Sequence, residues 1–199
     1  LSIAECPTPS RAELRRQNIK EVARRLFVEH GFHATGIALI AKESGVAVQQ
    51  LYRDFPSKED IIAAIVEEDC KRFADLSTLN TALARRSRDG VRDWLTSGPC
   101  RKDEEGDRLF LEIAAEASRN ERISTIFSDV RKMMAENIGR AFAGLMGSST
   151  VDDEHLLLAE MYMIISMGSV CTRTLHGGSV HLASSRLVGC LIDGAMVEE

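Results

Sequence analysis

Apolar residues recur three and four positions apart along most of the chain, and strict alternation is scarce, so the pattern predicts helices throughout. Between Arg11 and His30, the residues Ile19, Val22, Ala23, Leu26 and Phe27 form one apolar stripe, as on an amphipathic helix packed on one side. Gly31 is expected to close this helix as a left-handed C-cap. Thr35 is expected to N-cap a second, short helix whose inward face is Ile37, Ile40 and Ala41. Gly45 supplies the positive φ of a tight turn, with Val46 filling the space beneath it. A third helix begins near Ala47. Around it Val48, Leu51, Tyr52 and Phe55 gather on one side, the expected core, and Gln49, Gln50, Arg53 and Asp54 on the other.

Pro56 stops the third helix, and Ser57 caps a fourth, with Asp60 placed as in a capping box. Ile61, Ile62, Ile65, Val66, Cys70 and Phe73 carry that fourth helix onward. Beyond Leu76 the pattern predicts five more helical segments: Thr81 to Ser97, Asp107 to Arg119, Glu121 to Met146, Asp152 to Leu175 and His181 to Val197. The expected fold is all-α. Its parts are a loose arm over 1–10, a three-helix unit over 11–57, a linking helix over 58–75 and a helical body over 76–199. LSIAECPTPS has neither the charged nor the apolar region of a signal peptide.

Charge changes the picture. The chain carries −5 overall, but residues 10–58 hold nine Lys or Arg against five acids, a net of +4, and the rest is acidic. A positive head on a negative body orients a protein toward a polyanion. The third helix has the form that a major-groove reader requires: two turns long, rigidly mounted, with a narrow polar ridge. Lys58 lies in the first turn of the fourth helix, where free amides and the positive helix end favour a phosphate.

Three runs of residues resemble the TetR-type transcriptional regulators. They are Leu26, Phe27, Gly31, Phe32, Ala34 and Thr35, then Ile40, Ala41, Gly45 and Val46, then Leu51, Tyr52 and Phe55 to Glu59. The resemblance covers about Arg15 to Val66. It implies an all-helical homodimer, usually a repressor, whose heads bind a palindromic double-stranded operator and whose body binds a small-molecule inducer. Carried over by position, Thr35 and Lys58 would hold phosphates, Gln49, Gln50 and Arg53 would face bases, and Tyr52 would touch the backbone or a thymine methyl. Two departures stand out. Asp54 occupies a place where relatives have His or Tyr; it is expected to accept from a cytosine amine, to pair with Arg53 or Lys58, or to weaken binding. Ala47 and Val48 replace a common Ser cap and Lys, which predicts fewer phosphate contacts.

The body says less. Ser166, Gly168 and Ser169 in one helix, and Ala183, Gly189, Gly194 and Ala195 in the last, are small residues at contact spacing. They are expected at a helical dimer interface, with packing inside the chain as the alternative. Trp94, Phe110, Phe127, Met133, Met134, Met161, Tyr162 and Met163 are candidates for an apolar inducer pocket, with plain core as the alternative. Arg92, Asn137 or Arg173 would orient such a ligand. The five scattered cysteines, none in a C-x-x-C pair, are expected to be reduced thiols of a cytoplasmic protein. No hydrolase elbow, P-loop or dinucleotide fingerprint is present, and His30 and His33 flank a helix-breaking Gly31. The sequence therefore predicts no enzyme, no cofactor, no metal and no membrane span. An activator, or a regulator controlled by a protein partner, would carry the same head.

Overall fold

The computed structural model describes residues 10–73, 76–98, 103–176 and 181–196. The expected arm lies almost wholly outside the described residues, as do Pro99 and most of the HGGS loop. Ten helices occur among the described residues: α1 (Arg11–Ala34), α2 (Ile37–Ser44), α3 (Val48–Asp54), α4 (Lys58–Phe73), α5 (Leu76–Ala84), α6 (Arg88–Ser97), α7 (Glu104–Ala117), α8 (Glu121–Leu145), α9 (Asp153–His176) and α10 (His181–Ala195). No strand accompanies them, so the fold is all-α as the periodicity predicted.

Two apolar cores organise the helices. The first joins Ile19, Ala23, Leu26 and Phe27 of α1 to Ile40 and Ala41 of α2, to Leu51 of α3 with Phe55 just after it, and to Ile61, Ile62 and Ile65 of α4. It also takes in Leu109 and Ile113 of α7 and Ile123 of α8, so the head is packed directly against the body. The second core lies further along the body, around Leu79, Val91, Leu95, Ile138, Phe142, Leu145, Tyr162, Val188 and Ile192. Polar links reinforce the head–body junction. Glu116, buried on α7, lies 3.0 Å from His33 Nε2 and accepts from Arg119 Nε at 3.0 Å. Arg122 at the start of α8 donates to Ser57 Oγ at 3.0 Å and also to Asp60.

Several local expectations need correction. Gly31 has φ 79 and ψ 162, so it kinks α1 with a positive φ but is not a left-handed cap, and a short helical stretch continues to Ala34. Gly36, not Thr35, stands at the N-cap of α2, without a side-chain cap bond. The segment expected as one helix over Thr81 to Ser97 is two. Arg86 takes φ 51, and Ser87 caps α6 by accepting from Gly90 N at 3.1 Å. That serine, three residues before Gly90, was the sequence signal for a new helix start.

The acids before α9 serve the helix end. Asp152 Oδ1 accepts from the backbone N–H groups of Glu154 and His155 at 3.1 and 3.2 Å, and its carboxyl is held below the usual range chiefly by these contacts with His155. By length and composition alone, α9 is long and apolar enough to cross a membrane, a test that a packed helix can also pass. Here it packs on α8 and α10.

Candidate nucleic-acid interface

The recognition element is built from the inside out. Gly45 ends α2 in the left-handed region (φ 68, ψ 19), the conformation that glycine adopts without steric cost. The turn is tied to α1 by Asn18 Nδ2, which donates to the Ser44 carbonyl at 2.8 Å. Leu51 and Phe55 are fully buried and anchor α3 to the first core. A seven-residue helix has little stability of its own, so this anchoring sets its position. Val48 and Tyr52, expected in the core, are instead 43% and 49% exposed. They share the outer surface of α3 with Gln49 and Arg53, which are also exposed. The outer ridge is thus wider and more apolar than a division at 100° per residue predicted, because only Leu51 and Phe55 reach the core.

Two expected phosphate ligands are turned inward. Thr35 is completely buried, and its hydroxyl lies 3.0 Å from the Leu26 carbonyl and 2.9 Å from that of Gly31, to which it donates. Its side chain therefore joins the bend after α1 and does not face solvent. Lys58 Nζ donates to the carbonyls of Phe32 and Thr35 at 2.6 and 3.1 Å and lies 4.0 Å from the centre of the Phe32 ring. Burial lowers its pKa, an effect that Glu59 and Glu116 partly offset.

Asp54 pairs with neither Arg53 nor Lys58. It takes the guanidinium fork of Arg15, with Nε to Oδ2 at 2.6 Å and Nη2 to Oδ1 at 2.9 Å. Gln50 Nε2 adds a third bond at 3.3 Å. Arg16 donates to the Asp54 backbone carbonyl and lays its guanidinium 4.2 Å above the Phe55 ring. The Arg15 fork is the main reason that the Asp54 carboxyl sits below the usual range, against the opposing effect of burial. Elsewhere on α1 the cations are matched to acids: Lys20 to Glu68 at 2.5 Å, Arg24 to Asp69, and Arg25 to Glu29 and Glu43 at 3.6 Å each. Among the described residues of the head, Arg11, Lys42 and Arg53 are the cations outside these pairs and outside the Arg16 and Lys58 contacts. The positive balance of the head is real, but most of it is already used in holding helices together.

The description "Bacterial regulatory proteins, tetR family" matches residues 19–65, which run from α1 through the helix-turn-helix into α4. Over these residues the chain is similar to the TetR-type regulators. Over 134 residues it is 29% identical to the HTH-type transcriptional regulator UidR of Escherichia coli K12, an alignment that covers 65% of each chain. The matched stretch thus spans just under two thirds of that relative's length. It is 33% identical over 98 residues to the HTH-type transcriptional repressor AcnR of Corynebacterium diphtheriae, covering 46% of this chain and 51% of that one. Salmonella enterica GusR shares the fold with a TM-score of 0.69 and 24% identity, over 94% of this chain and 95% of its own. UidR and AcnR are both named as HTH-type transcriptional regulators or repressors.

The expected inducer residues do not gather at one site. Trp94, Met134, Tyr162 and Met163 belong to the second core or its edge, whereas Phe127 packs on the first core and meets Phe110 in a tilted ring contact with centres 5.6 Å apart. Met133 and Met161 are exposed. Two surface clefts, one along Ala117–Asp129 and one between Arg25 and Arg108, include none of the eight. The buried Tyr162 hydroxyl donates to the Leu95 carbonyl at 2.7 Å. Arg92 pairs with Asp193 at 2.7 Å, Asn137 donates to the Met133 carbonyl at 2.9 Å, and Arg173 forms a two-bond pair with Asp107 at 2.8 and 2.9 Å.

The small residues of α9 and α10 divide. Ser169 and Ser184 are buried and share a 2.6 Å hydrogen bond, which is packing within the chain. Ala195 also turns inward, against the second core, and Ser166 donates to the Tyr162 carbonyl at 2.9 Å. Gly168 and Gly194 are exposed with open space beside them, Gly189 is half-buried but equally open, and Ala183 is exposed. Sequence reasoning missed the larger feature around them. Leu157, Met161, Ile164, Met167 and Leu175 of α9, with Leu182 and Leu187 of α10, are all exposed. Leu157, Met161, Ile164 and Gly168 fall three and four apart, and Leu175 seven further on, the spacing of one helix face, and this was readable in advance. Cys171 and Cys190, on the same two helices, are free thiols, the first half-buried and the second exposed; the side chains of the other three cysteines lie outside the described residues.

Proposed function

We propose that this chain is a transcriptional regulator that binds a palindromic operator as a homodimer. The observation that carries the reading is α3: a short helix fixed by Leu51 and Phe55, with Val48, Gln49, Tyr52 and Arg53 turned outward. Gln matches the adenine edge and Arg the guanine edge in the major groove. The exposed apolar face of α9 and α10 supports pairing of two copies, since contiguous apolar surface of this kind marks an interaction site. Half-sites would then lie about 34–36 Å apart, or a near multiple.

Repression is the form of regulation we favour, as in the name of the Corynebacterium relative. Release by a small apolar inducer in the body completes the proposal, and the half-buried rim of the second core at Trp94, Met134 and Met163 is where apolar surface is available. The signal would reach the heads through α4, and also through α7 and α8, which share the first core with α1. A cytoplasmic location follows from such a role.

Selection of sites from a random duplex pool tests this reading. The wild type is expected to enrich a palindrome, and a Gln49→Ala, Arg53→Ala double variant to blur it. Failure to enrich any sequence at low salt would count against α3 as a reading helix.

A further inference from the structure

The Arg15–Asp54 pair differs in kind from the other ion pairs of α1. Lys20 and Arg24 reach across to Glu68 and Asp69 of α4. Arg15 instead closes on an acid that belongs to the reading helix, at its last residue. A carboxylate gripped by both arms of a guanidinium reproduces the fork geometry with which arginine holds a phosphate. Within the pair the carboxylate is the covered partner, 9% exposed, and the arginine is the more open one at 30%. An approaching anion would therefore meet Arg15 before it met Asp54.

Position makes the competition specific. Seven residues of helix are about 10 Å long, and the major groove is about 12 Å wide. With α3 in the groove, its C-terminal end lies beside the phosphate backbone at the groove edge, and Arg15 sits at that end. Resting on the proposed DNA-binding reading, we infer that Asp54 acts as an internal stand-in for a phosphate and withholds Arg15 from DNA. The head then gives up a contact that carries no sequence information. A larger share of its binding falls to Gln49, Tyr52 and Arg53, so binding to unrelated duplex is suppressed more than binding to the operator.

The test is the salt dependence of binding by the full chain, since each phosphate neutralised steepens log K against log salt by about 0.9. Wild type, Arg15→Gln, Asp54→Asn and the double variant are titrated with a random-sequence duplex and with the selected operator, between about 50 and 200 mM salt. Thermal unfolding is followed alongside. Arg15→Gln is expected to leave the slope unchanged, because Arg15 is not on the DNA. Asp54→Asn is expected to steepen the slope by about one unit per head and to tighten random-duplex binding severalfold. In the double variant this gain should disappear.

A gain that persists without Arg15 would overturn the inference, because loss of carboxylate repulsion alone would explain it. A slope that falls by about one unit in Arg15→Gln would overturn it as well, since Arg15 would already be a phosphate ligand. If Asp54→Asn does not fold, the slope of a folded Arg15→Gln still decides the matter. No duplex binding by the wild type at low salt would overturn the DNA-binding reading and this inference together. Duplex binding whose slope depends on Arg15 while Asp54 is intact would overturn this inference alone.

Discussion

Lys58 Nζ sits 4.0 Å from the centre of the Phe32 ring and donates to the Phe32 carbonyl at 2.6 Å, fastening the start of α4 to the bend that ends α1. The resemblance to known regulators assigns this lysine to a phosphate, whereas here it serves carbonyls that the bend leaves without helical partners. Lys58→Met keeps most of the stem but removes the donor. It is expected to destabilise the chain by about 1–3 kcal/mol, the usual cost of orphaning partly buried polar groups. The salt slope of DNA binding should stay at the wild-type value. A slope lowered by about one unit at unchanged stability would mean that Lys58 swings out to the DNA after all.

The same logic gives a pH dependence for Asp54. Its folded pKa lies below the ordinary 3.8, mainly because of the Arg15 fork. A carboxyl whose pKa is lowered by folding stabilises the fold above its unfolded value, and that contribution is lost as pH falls through the lowered folded value. Wild type should therefore unfold at a higher temperature than Asp54→Asn near neutral pH, by a few degrees. The gap should hold down to about pH 5 and close below about pH 4. A gap that remains constant down to about pH 2 would exclude the ion pair as its source.

Much of the head was legible in the sequence because short-range rules dominate there. Gly45 needs its positive φ, Pro56 stops α3, Ser57 caps α4, and Ile40, Leu51 and Phe55 are apolar at helical spacing. What escaped was decided by contacts distant in sequence. Thr35 and Lys58 turn inward because they donate to carbonyls on either side of the kink at Gly31, those of Leu26, Gly31, Phe32 and Thr35. Asp54 meets Arg15 across 39 positions, which no local pattern marks. Val48 and Tyr52 share the apolar spacing of α3 but stay outside, because the core has room only for Leu51 and Phe55. In the body, methionine and aromatic residues look alike whether they line a cavity or fill a core, so the candidate pocket dispersed into both cores and the surface.

The exposed face of α9 and α10 makes its own prediction. Ile164 is 64% exposed in the single chain, midway along the row from Leu157 to Leu175. An isolated surface isoleucine tolerates a charge with little effect on stability, whereas one at the centre of an apolar interface does not. Ile164→Glu is expected to shift the protein from dimer to monomer in sedimentation velocity, with thermal stability at low concentration nearly unchanged. Binding to a full palindrome should then weaken to the level of a half-site. An unchanged sedimentation coefficient would move the dimer interface away from this face.

Gly31 offers the sharpest test of the head–body junction. Its φ of 79 and ψ of 162 fall where residues with a Cβ are rarely found, and a Cβ added there would also lie 3.3 Å from Glu112 Oε2. Gly31→Ala is expected to cost about 1–3 kcal/mol, read as a lower urea midpoint at an unchanged m-value. The end of the Glu112 side chain can move aside, so the strain should come from the backbone and the cost should persist in a Glu112→Ala background. If the cost vanishes there, the contact with α7 is responsible and the kink is easily straightened. If it persists, the kink that directs Thr35 and Phe32 toward Lys58 is fixed by the one residue able to adopt it, and the head's orientation on the body is set at that point in the chain.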